Sequence, residues 1–300
     1  MFVSERQWWT EMEETMKNKI LSSKTKLLNN KITIQSNNKL EDLAILVSSC
    51  DSFSDLWYTH FKLLKKNWPN IKYNIYLVTD KFTNIHIDGV TIITTGKDLD
   101  FPMRIKYATK VIKENYILLT LDDYFLIHTV NQDNISILLD IIKEKKIHYL
   151  SLYNRRFDKE KYFKDIHYIY KINLNNSYAI NLYPAIWDKS FLVYTINDNI
   201  NAWEYEVSLT NKAKLFNANC AYSQAGVFRI LDVVRKGKVL NKANCYFKKN
   251  NIEIGNRPVN SLIYEFKLFV MDLIFWYTPK PIFLKLKKIA KKFGMKFISD

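Results

Sequence analysis

The chain has 300 residues, of which 48% are hydrophobic and 15% aromatic, so it has enough apolar side chains for a core and is not a disordered protein. Its 45 lysines and arginines against 30 aspartates and glutamates give a net charge of +15, which favours anionic partners such as nucleotide phosphates, anionic lipids or nucleic acid. Only 6 glycines and 6 prolines occur, which excludes collagen-like and proline-rich architectures, and the 3 cysteines are too far apart to indicate a disulfide framework or a zinc site.

Residues 1–38 are predicted to form an N-terminal helical arm, with a helix from Ser4 to about Leu28 and then a polar, asparagine-rich loop. The N-terminus is acidic and lacks the apolar segment of a signal peptide. No stretch of about 18 uncharged apolar residues occurs, so no membrane span is predicted. Together with the cysteine usage, these features predict a cytoplasmic protein.

Residues 39–255 are predicted to form the main domain, in which apolar strands alternate with amphipathic helices. The first strand, Leu43–Ser48, is a continuous apolar run, typical of a strand that is buried on both faces. Apolar residues at helical spacing from Ser54 to Trp68 predict the helix that follows it. Further strands are predicted at 74–79, 90–94, 116–120 and 147–152, and further helices at 103–115 and 135–145. The alternation predicts an α/β fold with a parallel, doubly wound sheet over 39–152, covered by shorter strands and loops over 153–255.

Acidic residues follow three of these strands: Asp51, Asp80 and the adjacent pair Asp122 and Asp123. In an open α/β sheet, ligands bind beyond the carboxyl ends of the strands. Carboxylates at that edge suit Mg²⁺ or Mn²⁺, and such an ion could hold a diphosphate. The alternative, which stays open for Asp51 and Asp80, is that each only caps a helix or turn. The adjacent pair favours a cation, because neighbouring like charges repel each other.

The sequence resembles bacterial glycosyltransferases with the GT-A fold, of the kind found in capsule and lipopolysaccharide gene clusters. Five segments carry the resemblance, in this order: LAILVSSCDSFSDLW, NIYLVTD, YILLTLDDYFL, SYAINLYPAIWDKSFL and NAWEYE. It covers about residues 43–250 and implies a doubly wound mixed sheet. It also implies inverting transfer of a sugar from a nucleotide-diphosphate sugar to a glycan or lipid-linked acceptor in surface polysaccharide synthesis.

The resemblance places the donor site at the strand ends. The residues it implies there are Val47, Ser48, Asp51, Asp80, Arg104 and Asp122. Asp80 would bond the nucleotide base, and Arg104 would face the diphosphate, since a guanidinium pairs well with phosphate oxygens. A solvated charge on a helix is the alternative for Arg104.

The aspartate motif after the fourth strand reads Thr120-Leu121-Asp122-Asp123, whereas its usual form is Asp-x-Asp. We therefore assign Asp123 to a Mn²⁺ or Mg²⁺ ion, and Asp122 to the same ion or to the ribose of the nucleotide.

Inverting transfer needs a base that accepts the proton of the acceptor hydroxyl. The segment NAWEYE resembles the acceptor side of the same enzymes, and its carboxylates Glu204 and Glu206 are the candidates. Both would share one face if the segment were extended and would diverge on a helix. We favour Glu204, with Trp203 and Tyr205 stacking on an acceptor sugar. The alternative is that both are surface acids beside core aromatic residues.

Residues 256–300 are predicted to form two basic amphipathic helices, broken near Pro279 and Pro281. Such helices are typical of membrane-surface binding, so an anionic membrane is an expected partner and nucleic acid is not. The alternatives are packing on the main domain and a nucleic-acid patch. For the whole protein, a basic, non-enzymatic protein that binds nucleic acid or another polyanion is the second hypothesis. A nucleotidyltransferase is the third, although the VSSCDSF segment lacks the glycine-rich phosphate loop expected of one.

Overall fold

The computed structural model describes residues 42–81, 84–153, 168–176, 178–223, 226–266, 269–270 and 282. All of them belong to the compact unit Glu41–Asp300. The predicted helix in the N-terminal arm, and most of the two predicted C-terminal helices, lie outside the described residues. Within the described part of the chain, no helix is both long and apolar enough to cross a membrane.

Twelve strands are present in the described residues, and eight of them form one sheet in the order β3-β2-β1-β4-β8-β6-β9-β7. The strands of this sheet are β1 (Leu43–Ser48), β2 (Asn74–Thr79), β3 (Thr91–Thr94), β4 (Tyr116–Leu121), β6 (Tyr149–Ser151), β7 (Ile169–Lys171), β8 (Ala185–Asp188) and β9 (Cys220–Ser223). Strands β1 to β4 are parallel to one another, whereas β8 is antiparallel to both of its neighbours, β4 and β6. The sheet is therefore mixed.

Six helices lie wholly within the described residues: α1 (Ser54–Asn67), α2 (Phe101–Val111), α3 (Gln132–Lys145), α4 (Lys189–Tyr194), α5 (Ala202–Phe216) and α6 (Asn241–Lys249). Residues 262–266 and 269–270 are helical as well, within the first predicted C-terminal helix. A single 3₁₀ turn, Asp51–Phe53, joins β1 to α1. Helices pack on both faces of the sheet, α1 and α3 on one and α2, α4 and α5 on the other. This arrangement confirms the predicted Rossmann-like, doubly wound α/β fold.

The apolar run of β1 explains its position at the centre of the sheet. Leu43, Ile45 and Val47 belong to the core beneath α1 and α3, while Ala44 and Leu46 belong to the core on the opposite face. All five side chains are fully buried. A strand covered on both faces cannot alternate apolar with polar residues, so it appears as one continuous apolar run.

The second half of the domain differs from the prediction. Residues 202–216 form the 15-residue helix α5, where we predicted strands and loops, so NAWEYE consists of the N-cap residue and the first five residues of this helix. Its start is set by Asn201, whose side chain accepts hydrogen bonds from the backbone N–H groups of Trp203 and Glu204. The predicted strand 147–152 is shorter and spans Tyr149–Ser151.

Four short strands form two antiparallel pairs outside the main sheet. Strand β5 (Tyr124–Leu126) pairs with β10 (Ile230–Asp232), and β11 (Val234–Arg235) pairs with β12 (Lys238–Val239). A third apolar cluster, which includes Leu56 of α1, Phe125 of β5 and Phe247 of α6, buries this region against α1. The pairing brings residues 230–232 directly beside the aspartate pair after β4.

Candidate active site

The parallel strands β1, β2 and β4 place their carboxyl ends at one edge of the sheet, which we call the carboxyl edge and define as residues 48–51, 79–81 and 121–124. Because β8 is antiparallel to β4, the loop that precedes β8 reaches the same edge. Strand β6 is antiparallel to β8, so its end at Ser151 is there as well. Ligands of such sheets bind at this edge.

Asp51 and Asp80 lie together at the carboxyl edge. The backbone N–H of Asp51 donates to Oδ1 of Asp80 at 2.6 Å, and Nζ of Lys81 lies 2.7 Å from Oδ2 of Asp51. Burial alone would raise the pKa of Asp80, but the Asp51 N–H and the nearby Arg104 charge lower it below its usual value. The Asp80 side chain is therefore ionised at neutral pH.

Arg104 lies on α2, and its charge acts on the Asp80 carboxylate. Its Nη1 donates to the carbonyl of Leu99 at 2.8 Å, and its Nε is buried with no hydrogen-bond partner among the described residues. A half-buried guanidinium that lacks one partner differs from the solvated helix charge that we considered as the alternative.

The two β1 residues of the predicted donor set differ in what they offer. The Val47 side chain is fully buried in the core, so it cannot reach a ligand. Oγ of Ser48 is buried and, in the described part of the chain, has no hydrogen-bond partner. The carbonyl of Ser48 accepts the backbone N–H of Asp122 at 3.3 Å, which ties the aspartate pair to the end of β1.

Asp122 is buried and bonded to its surroundings. The Ser49 hydroxyl donates to Oδ2 of Asp122, and Nε1 of Trp57 donates to the same hydroxyl at 2.7 Å. Burial raises the pKa of Asp122 to about 7, although the Ser49 hydrogen bond and the Arg257 charge oppose this rise. Asp122 therefore has little free surface for a ribose or a metal ion, unlike the role we predicted for it.

The Asp123 side chain has different neighbours from that of Asp122. Its Oδ1 is buried and has no hydrogen-bond partner within the described ranges. Burial raises its pKa well above the usual value, and the neighbouring charges of Asp122 and Asp232 add to the rise. An unpartnered carboxylate oxygen beside two further carboxylates is an environment that a divalent cation would stabilise.

No group of three or more His, Cys, Asp or Glu side chains among the described residues is arranged to hold a metal ion. A cation bound to Asp123 would thus take most of its ligands from elsewhere. The oxygens of a diphosphate and water supply such ligands for Mg²⁺ in phosphate-binding sites. The residues present fit a metal ion that arrives with its ligand rather than one held in a protein cage.

Glu204 and Glu206 diverge because their segment is a helix. Glu204 is exposed and closes a capping box, in which its Oε2 accepts the backbone N–H of Asn201 at 3.2 Å. Glu206 is half-buried, and its Oε1 accepts the backbone N–H of Leu182 at 3.0 Å. Burial raises the pKa of Glu206. The Glu206 charge in turn contributes to the raised pKa values of Tyr124 and Tyr183.

The two predicted acceptor residues, Trp203 and Tyr205, differ in their exposure. Trp203 has 58% of its surface exposed, whereas Tyr205 is fully buried. The Tyr205 hydroxyl lies 2.7 Å from Oγ1 of Thr195, inside the core between α5 and α4. Tyr205 is therefore not available to stack on a sugar, and this part of the prediction is wrong.

Three tyrosine rings form a stack that sequence reasoning missed, and one of them, Tyr124, belongs to the carboxyl edge. The Tyr183 ring stacks on Tyr124 with a centroid distance of 5.3 Å and on Tyr153 with one of 4.4 Å. Asp232, which is paired opposite Tyr124 on β10, forms an ion pair with Arg235 at 2.8 Å. These residues come from four separate segments, so no local sequence pattern could have grouped them.

Arg257 is a further residue that the sequence did not reveal. It makes a two-point ion pair with Asp55 at the start of α1, at 2.6 and 2.7 Å, and donates to the carbonyl of Ser52 at 2.6 Å. Its charge lowers the pKa of Asp122. Gly255 makes this contact possible, since a Cβ there would lie 2.4 Å from Oδ2 of Asp55.

No protein-family model matches the chain, and no curated protein matches it either. Solved structures of low sequence identity do resemble it. Residues 1–349 of S. aureus TarS in complex with UDP-GlcNAc are 14% identical, over 66% of this chain and 60% of that chain, with a TM-score of 0.44. The likeness to a longer TarS structure covers 36% of that chain.

Two further resemblances represent different classes of enzyme. The mannosyltransferase PcManGT from Pyrobaculum calidifontis, in complex with GDP-Man and Mn²⁺, is 10% identical over 74% of this chain and 66% of that chain, with a TM-score of 0.45. A cytidylyltransferase from Leptospira borgpetersenii is 13% identical over 73% of this chain and 99% of that chain, with a TM-score of 0.38.

Proposed function

We propose that the protein is a glycosyltransferase of the GT-A type that moves a sugar from a nucleotide-diphosphate sugar to a glycan or lipid-linked acceptor, with inversion, in surface polysaccharide synthesis. The observation that carries this proposal is the set of groups at the carboxyl edge. Asp51, Asp80 and Asp123 gather there with Arg104, and buried polar atoms of Ser48, Arg104 and Asp123 lack partners in the described part of the chain. Buried polar groups are normally hydrogen-bonded, so unpartnered ones mark a place where a ligand completes the site.

In this proposal the nucleotide binds between the ends of β1 and β2. The ionised Asp80 carboxylate accepts hydrogen bonds from the base or ribose, and the Ser48 hydroxyl and the Arg104 guanidinium bond the remaining nucleotide oxygens. The Asp51 carboxylate is paired with Lys81, so its part is to hold the turn after β1.

Asp123 is the residue that would hold Mn²⁺ or Mg²⁺ against the diphosphate, and the bound ion would neutralise charge on the leaving group. The chain itself supplies a positive charge for the diphosphate, the guanidinium of Arg104. The Arg235 guanidinium is already paired with Asp232, so it keeps the acidic side of the site from repelling the donor.

Within the acceptor-like segment NAWEYE, Glu206 is half-buried and burial raises its pKa. Each of the two glutamates accepts one backbone N–H, but Glu204 is exposed at the start of α5 whereas Glu206 is half-buried, so we assign the base role to Glu206. The acceptor oxygen bonds to the anomeric carbon, its proton passes to Glu206, and the bond to the diphosphate breaks with its electron pair on the diphosphate. The raised pKa keeps the carboxylate a better base than an exposed glutamate.

A thermal-shift screen tests the donor assignment. Nucleotide sugars with uridine, guanosine and cytidine bases are each added with Mn²⁺ and with EDTA. One base is expected to raise the melting temperature, with the larger rise in Mn²⁺, because a ligand present at 100 times its dissociation constant stabilises the native state by about 2.7 kcal/mol. A rise with heparin or RNA but with none of the nucleotide sugars would favour the polyanion-binding alternative instead.

We also propose peripheral attachment to an anionic membrane through residues 256–300. Five large apolar side chains are more than half exposed among the described residues of this segment: Leu262, Ile263, Phe266, Phe269 and Ile282. Six lysines follow within residues 285–296. Lysines near an anionic surface gain roughly 1 kcal/mol each, and exposed apolar groups add burial in the lipid.

Flotation with lipid vesicles tests this attachment. The protein is expected to float with phosphatidylglycerol vesicles at low salt and to remain behind with phosphatidylcholine vesicles. Replacement of Leu262 and Ile263 by serine should weaken flotation. Equal recovery with both lipids would contradict an electrostatic attachment.

A further inference from the structure

Four residues between α1 and the carboxyl edge form a buried polar network, which we call the Asp122 relay and define as Trp57, Ser49, Asp122 and His60. Nε1 of Trp57 donates to Oγ of Ser49 at 2.7 Å, and this hydroxyl donates to Oδ2 of Asp122. Nδ1 of His60 lies 3.1 Å from the backbone carbonyl of Asp122. The four residues are between 1% and 7% exposed, so water does not compete for these bonds.

The donors and acceptors of the relay follow from its chemistry. An indole N–H only donates, so the Ser49 oxygen accepts from Trp57. Its own proton has two acceptors within reach, and the Asp122 carboxylate is closer than the Cys50 carbonyl, which lies at 3.2 Å. A carbonyl oxygen only accepts, so Nδ1 of His60 carries the proton in this bond. Burial lowers the pKa of His60 to about 4, which agrees with a neutral ring that donates from one nitrogen.

Helix α1 holds Asp122 at two points. Trp57 and His60 are three residues apart on the same face of α1, one acting on the carboxylate through Ser49 and the other on the carbonyl. The next residue, Asp123, is fixed at its own carbonyl by the backbone N–H of Val233 at 2.9 Å. The turn that carries both aspartates is therefore clamped between α1 and the segment after β10.

We propose that Ser49, Trp57 and His60 are positioning residues, which hold Asp122 as an internal support so that the Asp123 carboxylate is presented to the divalent cation of the donor. This inference rests on the proposed function and deepens it, because it makes Asp123 the only metal ligand of the aspartate pair. To bind a metal ion through Oδ2, Asp122 would have to give up the hydrogen bond that this oxygen accepts from Ser49. The link from Trp57 through Ser49 to Asp122 would then be broken.

The test measures the affinity of the protein for Mn²⁺ in the presence of the nucleoside diphosphate that the wild type binds best among UDP, GDP, CDP and ADP. Electron paramagnetic resonance of Mn²⁺ gives this affinity without any turnover. Trp57→Phe and Ser49→Ala are each expected to weaken it by about 10–100-fold, the usual effect of losing a group that orients a metal ligand. Affinity for the nucleoside diphosphate in EDTA should stay within about threefold, since the base and ribose contacts do not involve the relay.

The double variant identifies the relay as one pathway. Because Trp57 acts on Asp122 through Ser49, Trp57→Phe added to Ser49→Ala should weaken Mn²⁺ binding no further. Ser49→Thr keeps the hydroxyl and should restore most of the affinity. His60→Leu is expected to weaken Mn²⁺ binding by a similar factor, and His60→Asn, which keeps an N–H near the Nδ1 position, should weaken it less.

Trp68→Phe is the matched control. Trp68 is also 1% exposed, at the end of α1, and its Nε1 donates to Gln132 at 2.9 Å, away from the carboxyl edge. It loses the same kind of buried bond, so it should lower thermal stability without changing Mn²⁺ affinity.

Four outcomes overturn the proposal. If Ser49→Ala binds Mn²⁺ as tightly as the wild type does, and the wild type transfers sugar, the proposed function stands but the positioning role of the relay is disproved. The same loss in Trp68→Phe as in Trp57→Phe would reduce the effect to general destabilisation. Additive losses of Mn²⁺ affinity in the double variant would show that Trp57 does not act through Ser49. A wild type that binds no Mn²⁺ with any of the four nucleoside diphosphates would overturn the relay and the metal-dependent function together.

Discussion

Asp123→Ala is expected to abolish Mn²⁺-dependent binding of the nucleotide and to lower turnover by about 10³-fold. Metal stabilisation of transition-state charge is worth several kcal/mol, and each loss of about 1.4 kcal/mol is a factor of ten in rate. Asp123→Asn should be nearly as damaging, because a neutral amide is a poor ligand for a hard divalent cation. Calorimetric titration of the nucleoside diphosphate, with and without Mn²⁺, measures the binding loss directly.

The fold of these variants serves as the control. Asp123 lies beside Asp122 and Asp232, and both charges disfavour its ionised form. Removing one of three neighbouring carboxylates relieves repulsion, so neither variant should melt at a lower temperature than the wild type in the absence of metal. Full wild-type activity in excess EDTA would contradict the role of Asp123 and leave Arg104 as the group that neutralises the diphosphate.

Glu206→Gln is expected to lower turnover by about 10²–10⁴-fold, the range for loss of a general base. The amide keeps the size of the side chain and its bond to the Leu182 N–H but cannot accept the proton. Donor binding should barely change, since the donor contacts come from the ends of β1, β2 and β4. Steady-state kinetics and donor titration on this one variant separate the two effects.

The dependence of turnover on pH gives a second signature of the base. Burial raises the pKa of Glu206, so the wild-type rate should fall as the pH drops through that raised pKa, where the carboxylate gains a proton. This acidic limb should be absent from Glu206→Gln. An unchanged limb in the variant would assign it to another group.

Glu204→Gln is the companion variant, because Glu204 was the sequence-based choice for the base. In the structure it caps α5, so its replacement should cost at most about 1 kcal/mol of stability and leave turnover nearly normal. Collapse of turnover in Glu204→Gln, with normal turnover in Glu206→Gln, would return the role to Glu204.

The sequence predicted those parts of the fold that depend on local patterns. The continuous apolar run of β1 indicated a strand covered on both faces, and the helical spacing after Ser54 indicated α1. The acidic residues after β1, β2 and β4 share one edge because parallel strands in one sheet must end together. These inferences needed only the alternation of elements.

The rest depended on contacts between distant segments. The choice between Glu204 and Glu206 depended on whether residues 202–216 are helical. On a helix, two residues that are two positions apart lie on different faces. The burial of Asp122 follows from Trp57 and His60 of α1, which no pattern near residue 122 reveals. Asp232 and Arg257 reach the site only through the pairing of β10 with β5 and the close approach of Gly255 to Asp55.

Phosphorus NMR of the reaction products tests the proposed glycosyl transfer most directly. The protein is incubated with Mn²⁺, membranes that contain candidate acceptors, and either nucleotide sugars or nucleoside triphosphates with sugar 1-phosphates. Our account predicts that one nucleotide sugar is converted to its nucleoside diphosphate, and that Asp123→Ala abolishes this signal. Release of pyrophosphate from a nucleoside triphosphate and a sugar 1-phosphate, with every nucleotide sugar left intact, would contradict it and identify a nucleotidyltransferase.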